Sequence, residues 1–516
     1  MRASGRVLWR AAWALALGLS GLLFAAFAPS AVARDAVVRS FDGTPISLHF
    51  FPAAGLRPGQ RAPTVMEGPG WGGTAAANPD GATAAALGVV GLGPLHRSGY
   101  NVLTWNPRGF DGSGGLAEID SAGYEGRDVS AVISWLARQP EARLDRPGDP
   151  RVGMVGGSYG GGIQLTTAAI DHRIDAIVPD IAWHSLLTSL YKADTVKLAW
   201  SQLLALAAQA AGQRTDPTIA KADAEGQASN ILSPDVVHFF ATRGPGQLVS
   251  RIRAPTLLIQ GTVDTLFTLR EAVGNYEILH AHHVPTKMLW FCGGHGACLT
   301  NPGDTGRIER DTLRWLARYL KGEKSVKTGP GFEWLDQRGR SYSAPSFPPP
   351  SGRSLSATGS GRLSLIASGG SGPYRGPFPA NGGLGAEVAS ATPSRAANAV
   401  DVSFTARSPG LILGAPQLQL TYRGRGARVP ARVLAQIVDD QTGKVLGNQI
   451  TPIPVVLDGT RRTVALPLEI VIASLRRGSR LTLQLVAQSS LYDTHPAGGS
   501  VTFSRISLTL PSVRVG

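Results

Sequence analysis

One stretch limits the architecture of this chain more than any other. Residues 151–164 read RVGMVGGSYGGGIQ. A short apolar run, 152–155, leads into Gly156-Gly157-Ser158-Tyr159-Gly160, which fits G-x-S-x-G, and the residues that follow read as helix. A strand, a sharp turn and a helix are the setting in which that motif lifts a serine hydroxyl above the edge of a parallel sheet. Such a turn strains the serine backbone, and small flanking residues make room for it. The next N–H, that of Tyr159, then opens a helix and is placed to donate to an oxyanion. Among 64 glycines the motif alone arises by chance about once, so its weight rests on what surrounds it.

The surroundings alternate. Residues 36–39 and 46–51 read as strands joined at Asp42-Gly43, and 64–66 as a third strand. The third strand runs into the glycine-rich loop Glu67-Gly68-Pro69-Gly70-Trp71-Gly72-Gly73. There this architecture places a second oxyanion donor, and the backbone N–H of Trp71 is the candidate; a plain surface loop is the competing reading. Residues 101–105 form a strand, and 124–138 an amphipathic helix with Val129, Val132, Ile133 and Leu136 on one face. Further strands are expected at 174–181, 254–261 and 287–291, with helices at 269–279 and 307–320. This pattern predicts an α/β fold with a doubly wound, mostly parallel sheet.

The alternation stops between about 183 and 247, where helical character dominates. Residues 198–211, LAWSQLLALAAQAA, are apolar nearly all round and too short to span a membrane. They are expected in a helical cap over the site, or else as a buried helix of the main domain. After Gly322 proline, glycine and serine increase, and from Val400 short alternating runs dominate. The expected division is a leader at 1–33, a catalytic domain at 34–322 and an all-β, jelly-roll-like sandwich at 323–516. Residues 368–385 are expected to be a glycine-rich loop.

A serine hydroxyl needs a base in reach, and the base needs a carboxylate to fix its tautomer. In this architecture the order is Ser, then Asp or Glu, then His. Asp264 follows the strand after the cap, and His295 follows the last strand in a loop of small residues. His280, His282 and His283 gather at a helix end, which suits cations better than a metal. His184 and His238 lie in the cap, where they could face substrate. Cys292 and Cys298 are the only cysteines and bracket His295. A disulfide is expected in an exported chain; free thiols, or a metal site that would consume the base, are the alternatives.

Arg2, Arg6 and Arg10, an uncharged apolar stretch at 11–28 and Ala31-Val32-Ala33 form a secretory leader pattern with cleavage expected after Ala33; a retained membrane anchor is the competing reading. The whole chain has a formal charge of +14 and stays strongly basic without the leader. Loose association with anionic envelope polymers is expected, with arginine-rich composition as the competing explanation. No compact basic run with interleaved aromatics points to nucleic acid.

The chain resembles the Xaa-Pro dipeptidyl-peptidase and cocaine esterase family of α/β hydrolases. The resemblance rests on G-G-S-Y-G-G at 156–161, N-P-R-G-F-D-G-S-G-G at 106–115, Val263-Asp264, the G-H-G loop at 294–296, and the helical insert. G-P-G-F-E-W at 329–334 and the β-rich tail resemble the family's C-terminal jelly roll. The resemblance implies a serine hydrolase of small esters, amides or peptides that works through an acyl-enzyme without a cofactor. It departs from the family where members use a tyrosine as an oxyanion donor after the third strand; here the loop offers Trp71. An anchor for a free amino terminus, which a dipeptidyl peptidase needs, is not identifiable. A hydrolase-fold binding protein and an acyltransferase with the same triad are the competing readings.

Overall fold

Apolar residues in the central strands come in adjacent pairs that face opposite ways, as the two-residue period of a strand requires. In a computed structural model of the chain, Met66, Leu103, Met154, Ile177, Leu258 and Met288 face one helical layer. Their neighbours Val65, Val102, Val155, Val178, Leu257 and Leu289 face the other. Burial on both faces is what a parallel sheet demands. The structure describes residues 32–379, 385–426, 431–492 and 498–514. The expected leader lies outside them apart from Val32 and Ala33, as do residues 380–384 of the glycine-rich loop.

The sheet has ten strands. They are β1 (Arg34–Arg39), β2 (Pro45–Phe51), β3 (Thr64–Glu67), β4 (Asn101–Trp105), β5 (Val152–Gly157), β6 (Ile174–Asp180), β7 (Thr256–Gly261), β8 (Thr286–Phe291), β9 (Phe332–Leu335) and β10 (Ser341–Ala344). Their spatial order is β1-β2-β4-β3-β5-β6-β7-β8-β9-β10. From β4 to β9 the pairs run parallel, and antiparallel hairpins close both edges. Helices α1 (Glu125–Leu136) and α2 (Tyr159–Ile170) cover one face. Val129, Val132, Ile133 and Leu136 of α1 are buried there, as their spacing predicts.

The expected change of domain after Gly322 is corrected by the sheet. β9 pairs with β8 at Met288↔Phe332, and β10 returns antiparallel at Phe332↔Ala344. The Phe332 ring meets Trp290 edge-on at 4.8 Å, and Phe332 and Trp334 are wholly buried. The shift in composition marks a loop in the chain; the aromatic pair beyond it still belongs to the large sheet.

Between β6 and β7 stand the cap helices α3 (Leu186–Leu190), α4 (Leu198–Ala210), α5 (Pro217–Ser229) and α6 (Pro234–Ala241). The all-round apolarity of α4 is used on two sides. Leu198, Ala199 and Trp200 are buried, while Leu204, Ala205 and Ala208 line a cavity.

Beyond Ala344 the chain is β-rich. One four-stranded antiparallel sheet holds Leu355–Ser364, Ser500–Leu510, Gln417–Arg425 and Asp458–Pro467. The other holds Ala399–Thr405, Arg480–Val486, Ala431–Asp439 and Lys444–Val455. Their inner faces share one core, with Leu420, Val433, Leu483 and Phe503 at its centre. A three-stranded sheet links this sandwich to the layer of the ten-stranded sheet. Ile412 faces the sandwich, whereas Leu411 and Leu413 join the cluster containing Phe332 and Trp334.

Candidate active site

Ser158 sits between the last residue of β5 and the first of α2, with φ +58° and ψ −118°. This left-handed backbone is costly for a residue with a side chain, and the surroundings hold it. Its N–H donates to Asp180 O at 2.9 Å, and its carbonyl accepts from Gly161 at 2.8 Å and Gly162 at 2.9 Å. Any side chain at Gly160 would place a Cβ 2.1 Å from Gly68 O, so only glycine lets α2 approach the β3 loop. At the start of α2 the Tyr159 N–H has no backbone partner among the described residues.

The loops after β7 and β8 bring the other two residues to the serine. His295 Nε2 lies 2.8 Å from Ser158 Oγ, and Nδ1 lies 2.8 Å from Asp264 Oδ2. The His295 N–H also donates to Asp264 Oδ2 at 3.0 Å. The other carboxylate oxygen, Oδ1, accepts from the N–H groups of Leu266 and Phe267, both at 2.9 Å. Asp264 is wholly buried. Four hydrogen bonds thus fix one carboxylate. A Cβ on Gly296 would lie 1.8 Å from Val263 O, so the loop requires glycine to come this close. Phe267 and Trp200 meet the imidazole edge-on, at centroid distances of 5.2 and 5.8 Å. Cys292 and Cys298 form a disulfide across the same loop, with Cα atoms 5.4 Å apart. A hydroxyl, an imidazole and a carboxylate in this sequence can pass a proton from oxygen to nitrogen while the carboxylate holds the ring.

Trp71 lines the same site as Ser158 and Tyr159. Its ring lies 5.4 Å from Tyr159 and 5.9 Å from Phe110, and its indole N–H donates to Leu204 O of α4 at 3.0 Å. The loop after β3 is therefore tied to the cap. The backbone N–H of Trp71 has no backbone partner among the described residues. Ser158, Tyr159 and Trp71 line a cavity of about 430 Å³ whose wall is mostly apolar, from Leu190 and Leu204 to Phe240 and Phe267.

Acidic groups lie behind Tyr159. Glu125 accepts from the Tyr159 hydroxyl at 3.1 Å and from the N–H groups of Glu118 and Ser121. Burial pushes its carboxyl up to about 7. Burial also holds the carboxyls of Asp120 and Asp180 well above the usual range. These groups are held toward their neutral forms, which keeps negative charge away from the serine.

Several residues at the site carry no sequence signal. Lys197, wholly buried at the start of α4, donates through Nζ to Thr265 O at 2.8 Å and Leu266 O at 2.9 Å. Burial lowers its ammonium to about 8, against the pull of Glu469. Trp200 donates to Thr265 Oγ1 at 3.0 Å. From the sandwich, Gln449 Nε2 donates to Asp264 O and Asn448 Nδ2 to Ala297 O, each at 2.9 Å. The cap histidines play a different part from the one expected. His184 Nδ1 pairs with Asn275 at 2.9 Å, and neither His184 nor His238 lines the cavity. His280 stacks on Tyr276 at 5.5 Å near the end of its helix, and among the described residues no group of three His, Cys, Asp or Glu could hold a metal.

Comparison with known proteins bears on the fold and the class of protein. Residues 47–297 match the family model described as X-Pro dipeptidyl-peptidase (S15 family). No curated protein matches the chain. Among solved structures, a CocE/NonD family hydrolase from Staphylococcus aureus is 13% identical with a TM-score of 0.67, covering 93% of each chain. An aminopeptidase from a marine sediment Thaumarchaeota archaeon is 13% identical with a TM-score of 0.64, covering 94% of this chain and 96% of its own. An alpha-amino acid ester hydrolase is 14% identical with a TM-score of 0.62, covering 96% of this chain and 98% of its own. These likenesses carry the whole architecture, the β-rich part included. Over residues 47–297 the chain thus matches the X-Pro dipeptidyl-peptidase (S15) family, and the protein is a serine-type hydrolase.

Proposed function

We propose that the protein is an exported hydrolase that cleaves an ester or amide bond through an acyl-enzyme on Ser158. His295 takes the serine proton as Oγ attacks the carbonyl carbon. The tetrahedral oxyanion is received by the N–H groups of Tyr159 and Trp71. His295 then gives its proton to the departing alcohol or amine. Water, deprotonated by the same imidazole, releases the acid and restores the serine. Asp264 keeps the Nδ1 proton in place and stabilises the transient imidazolium. No step in this route calls for a cofactor.

The observation that carries this reading is the unbroken run Ser158 Oγ, His295, Asp264, each link 2.8 Å long. Export is supported by the leader pattern at 1–33 and by the disulfide. A second reading, cleavage after an Xaa-Pro dipeptide, is favoured by the description of the matching family. The test is labelling with a fluorophosphonate, followed by a panel of p-nitrophenyl esters and Xaa-Pro amides. Wild type should label and turn over, and Ser158→Ala should do neither, with a rate loss of about four to six orders of magnitude. Substantial turnover by Ser158→Ala would overturn the mechanism. Failure of the wild type to label would favour a binding protein, and transfer to an added alcohol in preference to water would indicate an acyltransferase.

A further inference from the structure

The cavity beside Ser158 is apolar except at a few points, and one of them is unusual. Gln213 lies on its wall, just past the end of α4. Both polar atoms of its side-chain amide are shielded from solvent, and neither has a hydrogen-bond partner among the described residues. A buried amide without partners is costly, which is why such groups are rare unless a ligand completes them. The backbone around it is fixed. Gln213 N–H donates to Ala208 O at 2.9 Å, and the next residue, Arg214, donates to Gly109 O at 2.8 Å. Among the described residues, Asp223 is the only Asp, Glu, Lys, Arg or His on the cavity wall. Its two oxygens already accept from Ser201 Oγ at 2.7 Å and Gln227 Nε2 at 2.6 Å.

We propose that this cavity takes an uncharged apolar group bearing a secondary amide, and that Gln213 recognises that amide. The proposal rests on the hydrolase reading above and narrows its substrate to neutral, amide-bearing esters or amides. The chemistry is directional. A glutamine side chain offers N–H donors and a carbonyl acceptor side by side, whereas the N–H and C=O of a trans secondary amide point opposite ways, so the amide meets one of them: its N–H donates to Gln213 Oε1. An ether or a ketone has no hydrogen to donate there. An ammonium group would find an apolar wall and one carboxylate with neutral partners already in place.

The test compares three p-nitrophenyl esters on one preparation of enzyme: an N-acyl-phenylalanine ester, its isostere with the amide N–H replaced by CH₂, and the free-amine phenylalanine ester. A parallel series carries the amide in the alcohol part, so that either side of the scissile bond can fill the cavity. In wild type, kcat/KM for the amide should exceed that for the isostere by about 10-fold or more in one of the two series. In Gln213→Leu that ratio should fall to about one. Because both substrates are read on the same sample, the ratio does not depend on how much variant is folded. Equal rates in wild type would overturn the proposal and leave Gln213 as a holder of water. So would an amide advantage that survives in Gln213→Leu. A preference for the free amine that is lost in Asp223→Asn would overturn it in favour of ammonium recognition. If no ester is cleaved and fluorophosphonate does not label Ser158, the hydrolase mechanism itself fails with it.

Discussion

The side chain of Gln449, in the β sandwich, donates to the backbone carbonyl of Asp264 at 2.9 Å. The acid that orients His295 is thus gripped from a part of the chain far away in sequence. Gln449→Ala should lower kcat about 10-fold, because small displacements of an orienting group are expensive in rate. KM should change little, since Gln449 does not line the cavity. Steady-state kinetics separates the two. An effect confined to KM would show that Gln449 shapes binding and leaves the acid untouched.

Asp264→Asn removes the charge and favours the wrong tautomer of the imidazole. A fall in kcat of about four orders of magnitude is expected. The same change at Asp223, on the cavity wall, should be far milder for a neutral ester. Comparison of the two variants with one substrate checks whether the carboxylate was assigned correctly.

The disulfide closes a loop with only five residues between its ends. Its removal should cost less than the roughly 3 kcal/mol of a 15-residue loop. Its larger effect should be on the placement of His295. Reduction, or Cys292→Ser with Cys298→Ser, should lower kcat several-fold while the melting temperature moves little. Mass spectrometry of the non-reduced protein reports the bridge, and kinetics before and after reduction report its consequence.

Glu67 closes β3, immediately before the loop that carries Trp71. Its Oε2 is shielded from solvent and has no partner among the described residues, and burial pushes the carboxyl up to about 7 from 4.5. Below pH 4.5 both folded and unfolded states bind the proton. Between 4.5 and 7 the folded state keeps a proton that the unfolded state releases, so stability falls as pH rises through this window. Glu67→Gln removes that slope. Relative to wild type, the variant should be about 2–3 kcal/mol better placed at pH 8 than at pH 4.5. Denaturant unfolding at the two pH values measures it; an equal offset at both would show that Glu67 titrates normally.

The parts of the site that could be read from the sequence share one property: each is encoded locally. The turn around Ser158 needs its own glycines, and Asp264 and His295 each follow a strand that announces itself by apolar composition. The alternation of strands and helices likewise comes from short-range periodicity. What escaped the sequence is long-range. Lys197 reads as one more polar residue before a helix, yet the fold buries it against two carbonyls beside Asp264. Gln213, Asn448 and Gln449 sit in unremarkable stretches, and their partners are set only when separate layers meet. The boundary after Gly322 was misplaced for a related reason. Proline and glycine report where the chain turns, whereas the pairing of β9 with β8 is decided by Phe332 fitting beside Trp290, with Trp334 stacked on Phe332.

The contacts from the sandwich to the site also have a consequence in time. A polypeptide is made and delivered from its amino end. Every residue proposed to do chemistry has been made once His295 is joined. The groups that brace the acid and base loops, Asn448 and Gln449, come later. So do Leu411 and Leu413, which cover the catalytic layer beside Phe332 and Trp334. A chain stopped at Ala344 should therefore expose apolar surface, aggregate readily and resist fluorophosphonate labelling. Hydrolytic capacity would then arise only when synthesis is nearly finished, so that a half-made chain holds its nucleophile idle.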